Sequence, residues 1–249
     1  MTIAFFDLDH TLLDGANGTL YAKQMIREKL MDRRVLLVVA WYSVLYKLNR
    51  FPREAAYRKV LDEMGRHTVL EMIDMMDRGF ELYIVPRLYR RGADLVTDHK
   101  AQGHTTVIAT AAGEYVAERV RAQLGADDYL ATPTPTRGDR ISSEIVGPMA
   151  FQEGKLEMAL DFCGERGVDI SDCWFYSDSA SDLPLLDAVG HPILVNPQLK
   201  LRLANRKRGW PVLRFDEYAS FDAIARPVRV KSPGMDRFVR MYEESLAAR

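Results

Sequence analysis

Four apolar residues, Ile3, Ala4, Phe5 and Phe6, run without a polar break into Asp7-Leu8-Asp9. A run with no polar face predicts a strand buried on both sides, as in the interior of a parallel sheet. Short runs of the same kind recur at 105–109, 173–176, 193–195 and 212–215, and the segments between them carry apolar residues at helical spacing. Strands that alternate with helices predict an α/β fold, a Rossmann-like parallel sheet covered on both faces.

The interval between the first two strands breaks that rhythm. Residues 16–84 read as helix throughout, in stretches such as LYAKQMIREKLM, PREAAYRKVLDEMG and HTVLEMIDMMDRGFELY, and are too long for one crossover connection. We therefore expect a helical cap domain, residues 16–86, inserted after the first strand of a core domain made of residues 1–15 and 87–249. Pro86 then stands near the point of return, and 87–103 leads back into the sheet. The stretch 129–148, with β-branched residues on both sides of Arg137-Gly138-Asp139, predicts a hairpin or flap whose tripeptide is turn chemistry. Within the cap, 35–46 (VLLVVAWYSVLY) is apolar on every helical face and flanked by Arg33, Arg34, Lys47 and Arg50. A membrane-spanning helix needs about 20 residues, so this segment predicts a helix buried in the cap in preference to one touching lipid. The tail after Arg226, basic and interrupted by proline, is not assigned to any element.

Composition changes this picture little. With 249 residues, 47% hydrophobic and 28% charged, the chain can bury a sizeable core. Lysine plus arginine (34) nearly balance aspartate plus glutamate (35), for a formal net charge of −1, which lacks the basic footprint of a nucleic-acid binder. Cys163 and Cys173 are too few for a disulfide scaffold or a zinc site and fit a reducing compartment. The N-terminus carries Asp7 and Asp9 where a secretory signal needs an unbroken apolar stretch, so a cytoplasmic location is expected.

In open parallel sheets ligands bind at the carboxyl ends of the strands, and here those ends carry chemistry. Asp7 and Asp9 follow the first strand, Thr110 and Ala111 the second, and Asp178 and Asp182 follow 173–176, while Lys155 opens the helical run KLEMALDFC behind Gly154. Each signal alone is weak, because Asp-x-Asp is often a turn or a helix cap and a lysine at a helix start is common. Their order on successive strand ends points to one task. Asp7, Asp9 and Asp178 are hard oxygen ligands suited to Mg²⁺, which commonly shares a site with phosphate. Lys155 is a fixed positive charge, and the Thr110 hydroxyl, with backbone N–H groups of a helix opening at Ala112 or Gly113, can donate to phosphate oxygens. The set predicts phosphoryl transfer. Asp7 would attack phosphorus and form an aspartyl-phosphate, and Asp9 would protonate the leaving alcohol and then deprotonate the water that cleaves the intermediate.

In order along the chain, DLDHT, IATAA, EGKLEMAL and YSDSASDLPLL resemble the four motifs of the haloacid dehalogenase superfamily. The chain is similar in particular to the phosphoserine phosphatase-like subfamily, whose helical cap follows the first strand. The resemblance spans residues 3 to about 197. It implies a Mg²⁺-dependent phosphomonoesterase with Asp7 as nucleophile and metal ligand, Asp9 as acid/base with its main-chain carbonyl on the metal, Asp178 as a further metal ligand and Asp182 as support. It further implies Thr110, Ala111 and Lys155 on the phosphate. Ion-pumping ATPases usually carry threonine where Asp9 stands, and dehalogenases lack the acid, so Asp9 favours turnover of a phosphoester. The implied substrate is a small phosphorylated metabolite, phosphoserine-like or histidinol-phosphate-like.

The chain departs from that pattern nine residues after the nucleophile, where phosphoserine phosphatases carry glutamate and this sequence has Ala16 followed by Asn17. Asp14 is the nearest replacement, and Arg58 or Lys59 lies roughly where the family's cap places a carboxylate-binding arginine. Three readings compete with the main one: a lysophospholipid phosphatase using 35–46 at a lipid surface, a phosphate-binding regulatory protein without turnover, and a phosphomutase.

Overall fold

The computed structural model describes residues 1–29, 53–225 and 230–247. Its strands are β1 (Ile3–Phe6), β2 (Thr105–Gly113), β3 (Asp128–Thr132), β4 (Thr136–Arg137), β5 (Arg140–Ile141), β6 (Trp174–Ser177), β7 (His191–Val195) and β8 (Val212–Leu213). Six of them form one sheet in the order β3-β2-β1-β6-β7-β8, with every neighbouring pair parallel. β1 lies at the centre and is buried at every position, as its unbroken apolar run requires. Phe6 is level with Ile108 of β2 and Tyr176 of β6, so the residues that follow these positions emerge together at one edge.

Between β1 and β2 the described chain is helical: α1 (Asn17–Arg27), α2 (Arg53–Met64) and α3 (Val69–Gly79), then a π-helical turn (Phe80–Ile84) and a 3₁₀ turn (Val85–Arg87), before α4 (Arg90–Ala101). α3 starts on a capping box, in which the Thr68 side chain accepts from the Glu71 N–H while Glu71 accepts from the Thr68 N–H, satisfying two otherwise unpaired donors. The remaining helices are α5 (Glu114–Leu124), α6 (Glu153–Gly164), α7 (Leu183–Ala188), α8 (Leu199–Asn205) and α9 (Pro233–Ala247). One face of the sheet, with Phe5, Val107, Phe175 and Leu194, packs on Phe162 of α6, Leu185 of α7 and Leu201 of α8. The other, with Phe6 and Ile108, packs into a core shared by Met72 of α3, Val120 of α5 and Val239 of α9. The segment 35–46 lies outside the described residues. No described helix is long and apolar enough to cross a membrane.

The helical insert is fastened to the sheet's helices by a buried polar contact. Arg119 of α5, fully buried, pairs with Asp77 of α3 at 2.9 Å. Tyr115 donates to the same carboxylate at 3.1 Å, and Phe80 lies 4.3 Å from the guanidinium.

Two expectations need correction, and one unassigned segment gains an element. The second strand continues past Ala109 to Gly113, with an irregularity between Thr110 and Gly113, so the following helix opens at Glu114 and not at Ala112 or Gly113. Residues 129–132 are not part of a flap but belong to β3, the sheet's edge; the Tyr129-Leu130-Ala131 run is buried and closes a parallel crossover with β2 and α5. Only β4 and β5 make the hairpin, turning at Gly138 with φ +64°. The tail also forms an element, α9, whose Met235, Phe238, Val239 and Tyr242 are buried at the i, i+3, i+4, i+7 spacing of an amphipathic helix.

Candidate active site

The carboxyl edge of the sheet gathers residues that are far apart in sequence. Asp7 extends β1 by donating its N–H to the Tyr176 carbonyl at 2.9 Å. Its Oδ1 accepts from Lys155 Nζ at 2.9 Å, across 148 positions of chain. Lys155 also meets Asp182 Oδ1 at 2.8 Å, and the other Asp182 oxygen accepts from Ser177 at 2.7 Å. The Thr11 hydroxyl stands between two carboxylates, 3.3 Å from Asp7 Oδ2 and 3.5 Å from Asp178 Oδ1. The second oxygen of Asp178 accepts from Gln198 Nε2 at 2.7 Å. Asp7, Lys155, Asp178 and Asp182 are all buried.

The backbone before α6 explains how Lys155 is aimed. Gln152 adopts a positive φ of 52°, and the chain then folds so tightly that a Cβ on Gly154 would lie 2.2 Å from the Met149 carbonyl oxygen. Only glycine fits there.

The charges are unbalanced, since one lysine faces three carboxylates. Burial, partly offset by Lys155 and then reinforced by Asp182, Asp178 and Asp9, holds Asp7 well above the ordinary aspartate range. Burial pushes Asp178 up to about 7; the hydrogen bond from Gln198 opposes it, while Asp182 and Asp9 add to it. For Lys155 burial acts downward, but Asp182 and Asp7 outweigh it and hold the ammonium above its usual value. Such a group of hard oxygens, short of positive charge, has the donor chemistry of a magnesium site.

Asp9 stands apart from this cluster. Its carboxylate accepts from the backbone N–H and the side-chain amide of Asn17, the first residue of α1, in three contacts of 2.8 Å. Burial raises Asp9 above its usual value, and Asn17 holds it down. Asp9 therefore does not join Asp7 and Asp178 as a third side-chain ligand, and among the described residues no group of three or more acidic, histidine or cysteine side chains is arranged around a metal position. Turning toward Asn17 is the physical reason.

Thr110 is buried, and its Oγ1 accepts from the Ala112 N–H at 3.1 Å, which leaves its proton for another acceptor. That bond engages the Ala112 donor expected for phosphate. The Ala111 carbonyl accepts from Thr132 at 3.0 Å. Arg58 is exposed on α2, and among the described residues no hydrogen bond or ion pair brings it to the cluster. Asp14 accepts from Tyr218 at 2.5 Å, away from the aspartates. Sequence reasoning missed Thr11, Asn17, Ser177 and Gln198. Thr11 was inside the first motif, and Gln198 follows β7, a strand end that carried no acid or base to draw notice.

A model of the haloacid dehalogenase-like hydrolase family matches residues 4–187. The chain belongs to that family. It is 29% identical over 235 residues to the probable phosphatase Rv3661 of Mycobacterium tuberculosis, covering 91% of this chain and 80% of that one. It is 27% identical over 219 residues to the histidinol-phosphatase of Neisseria meningitidis, covering 86% and 98%. Among solved structures, a protein of unknown function from Bordetella pertussis superposes with a TM-score of 0.79 at 28% identity, covering 85% of this chain and 97% of that one. A phospho-aspartyl intermediate analogue of phosphoserine phosphatase superposes at 0.64, covering 87% and 94%, with 14% identity, a likeness of fold. This haloacid dehalogenase-like chain is thus a phosphatase of the phosphoserine phosphatase-like kind, with the parallel core and helical insert expected of it.

Proposed function

We propose that the chain is a Mg²⁺-dependent phosphomonoester hydrolase that works through a phosphorylated Asp7. The observation that carries this reading is the meeting of Asp7, Lys155, Asp178 and Asp182 in one buried cluster, next to the strand that carries Thr110. Asp7 and Asp178 would hold the cation with their side chains and Asp9 with its main-chain carbonyl. Bound there, the cation supplies neutralisation of phosphoryl charge. Lys155 keeps Asp7 oriented and adds a second positive charge against the phosphate, while Thr110 and the backbone at Ala111 donate to its oxygens. Asp7 attacks phosphorus as the ester bond to the leaving oxygen breaks, and Asp9 gives that oxygen its proton. Asp9 then takes a proton from the water that cleaves the aspartyl-phosphate. Asp182, tied to Lys155 and Ser177, fixes the lysine.

The substrate is a small water-soluble metabolite ester, phosphoserine-like or histidinol-phosphate-like, handled in the cytoplasm, and residues 16–86 act as the cap that selects it. Phosphate release from an aryl phosphate tests the reading. Chelation with EDTA should abolish release, and Asp7→Asn should lower kcat by several orders of magnitude. Turnover that survives both would defeat it.

A further inference from the structure

We propose that Cys163 and Cys173 are a modification site, a thiol pair that hydrogen peroxide oxidises to a reversible disulfide, and that this bond slows turnover by shifting Lys155. The first half stands on geometry alone, and the second rests on the phosphatase reading above. The two sulfurs lie 3.7 Å apart, in hydrogen-bonding contact, and both side chains are buried. They are the chain's two cysteines, so neither has a competing partner within it. Cys163 is in the last turn of α6, and Cys173 immediately precedes β6. The segment 164–172 brings them together: it turns at Gly167, with φ +62°, and the Val168 N–H returns to the Cys163 carbonyl at 3.0 Å. A disulfide holds its sulfurs about 2 Å apart, so closure from the observed contact needs a displacement of less than the width of an atom. Burial is shallow, because Gly164 and Asp172, next in sequence to the two cysteines, are exposed, and local opening of the segment between them admits a small peroxide.

The chemistry starts on Cys173. The hydrogen bond from Cys163 outweighs burial and, with the Ile3 N–H, holds the Cys173 thiol below its usual range, and the thiolate is the reactive form. It attacks one peroxide oxygen as the O–O bond breaks, and the other oxygen leaves as hydroxide and takes up the proton that Cys173 lost, giving water. The Cys163 sulfur then attacks the sulfur of the Cys173 sulfenic acid, the S–O bond breaks, and a second water leaves with the Cys163 proton. In balance the two thiols lose two electrons and two protons, and one hydrogen peroxide becomes two waters. In a reducing cytoplasm such bonds are transient and redox-sensing. The bond joins the trailing end of α6 to the leading end of β6, and the opposite ends of these elements carry Lys155 and Asp178. Lys155 lies about 12 Å back along the same helix, so drawing Cys163 toward Cys173 changes the 2.9 Å contact of Lys155 with Asp7.

The test treats the wild-type protein with hydrogen peroxide, counts free thiols after denaturation, and analyses the non-reduced digest by mass spectrometry. We expect both thiols to disappear together, the peptides carrying Cys163 and Cys173 to be linked within one chain, and dithiothreitol to restore both thiols. On the same samples kcat/KM for an aryl phosphate should fall at least threefold on oxidation and return on reduction. Dithiothreitol does not reverse methionine oxidation, so the return assigns the effect to the thiols. Cys163→Ser should keep the kcat/KM of the reduced wild type and lose the reversible fall. Should that variant fail to fold, the linked peptides and the recovery in the wild type decide the matter. Thiols that persist, sulfinic acid in place of the linked peptides, or a bond between two chains would overturn the modification site. A disulfide that leaves kcat/KM unchanged would overturn its action through Lys155. Linked peptides in a protein that, when reduced, releases no phosphate would defeat the phosphatase reading and leave the site standing.

Discussion

Asn17 holds both carboxylate oxygens of Asp9, with its amide 2.8 Å from each and its backbone N–H 2.8 Å from one of them. Because Asn17 opens the first helix of the insert, the proposed acid/base is oriented by the element that follows it and not by the sheet.

Replacing Asn17 by alanine removes the amide donor that holds Asp9 down, so burial raises its proton affinity further. Asp9 is needed protonated in the first step and ionised in the second, so both limbs of the pH–rate profile that it controls should move to higher pH. Turnover should fall about tenfold or more through lost orientation. A profile that stays in place would contradict this role.

Lys155 is the shared partner of Asp7 and Asp182. Lys155→Met leaves two buried carboxylates uncompensated and should cost about 3–5 kcal/mol in urea unfolding. Adding Asp182→Asn should recover part of that stability without restoring activity, since the charge against the phosphate stays missing. Recovery of both would mean that Lys155 serves the fold alone.

At Gly154 an added methyl meets the Met149 carbonyl. Gly154→Ala should shift the start of α6 and with it Lys155, raising KM for any phosphoester and lowering stability by about 1–3 kcal/mol. An unchanged KM would show that the lysine is not aimed by this turn.

The aspartates proposed for catalysis were legible as a buried group because buried strands have unbroken apolar runs, and the polar residues that end them stand out against that background. Lys155 and Thr110 followed from the same logic. Asn17 and Gln198 were not legible in that way, since each acts by hydrogen-bonding an aspartate that only the folded chain brings near. β3 was missed because Tyr129-Leu130-Ala131 is short and flows into a threonine- and proline-rich loop, so local composition masked a pairing imposed by β2. α9 was missed for a different reason: Pro227 and Pro233 and the basic residues near them drew attention from the apolar spacing that begins at Met235. Arg58 was placed by loose analogy through a helical segment, where one turn of register moves a side chain to another face.

His99 offers a pH test outside the aspartate–lysine cluster. It is buried, with Nδ1 2.8 Å from His104 Nδ1 and Nε2 2.8 Å from the Tyr176 hydroxyl. Burial and then His104 push it down to about 4 from an ordinary 6.5, against a smaller upward pull from Asp98. The unfolded chain therefore binds a proton before the folded one does, and this contribution to stability is complete above about pH 6.5 and lost as the pH falls toward 4. Between pH 7 and 4.5 the wild type should lose about 2 kcal/mol more than His99→Gln. Parallel pH curves for the two proteins would contradict the assignment.

The most direct test of the central claim is mass spectrometry of the enzyme quenched in acid during turnover of an aryl phosphate with Mg²⁺ present. The account predicts a phosphoryl adduct on the peptide containing Asp7, sensitive to hydroxylamine, absent from Asp7→Asn and absent after EDTA treatment. Steady phosphate release by the wild type with no adduct on that peptide, or an adduct that persists in Asp7→Asn, would contradict it.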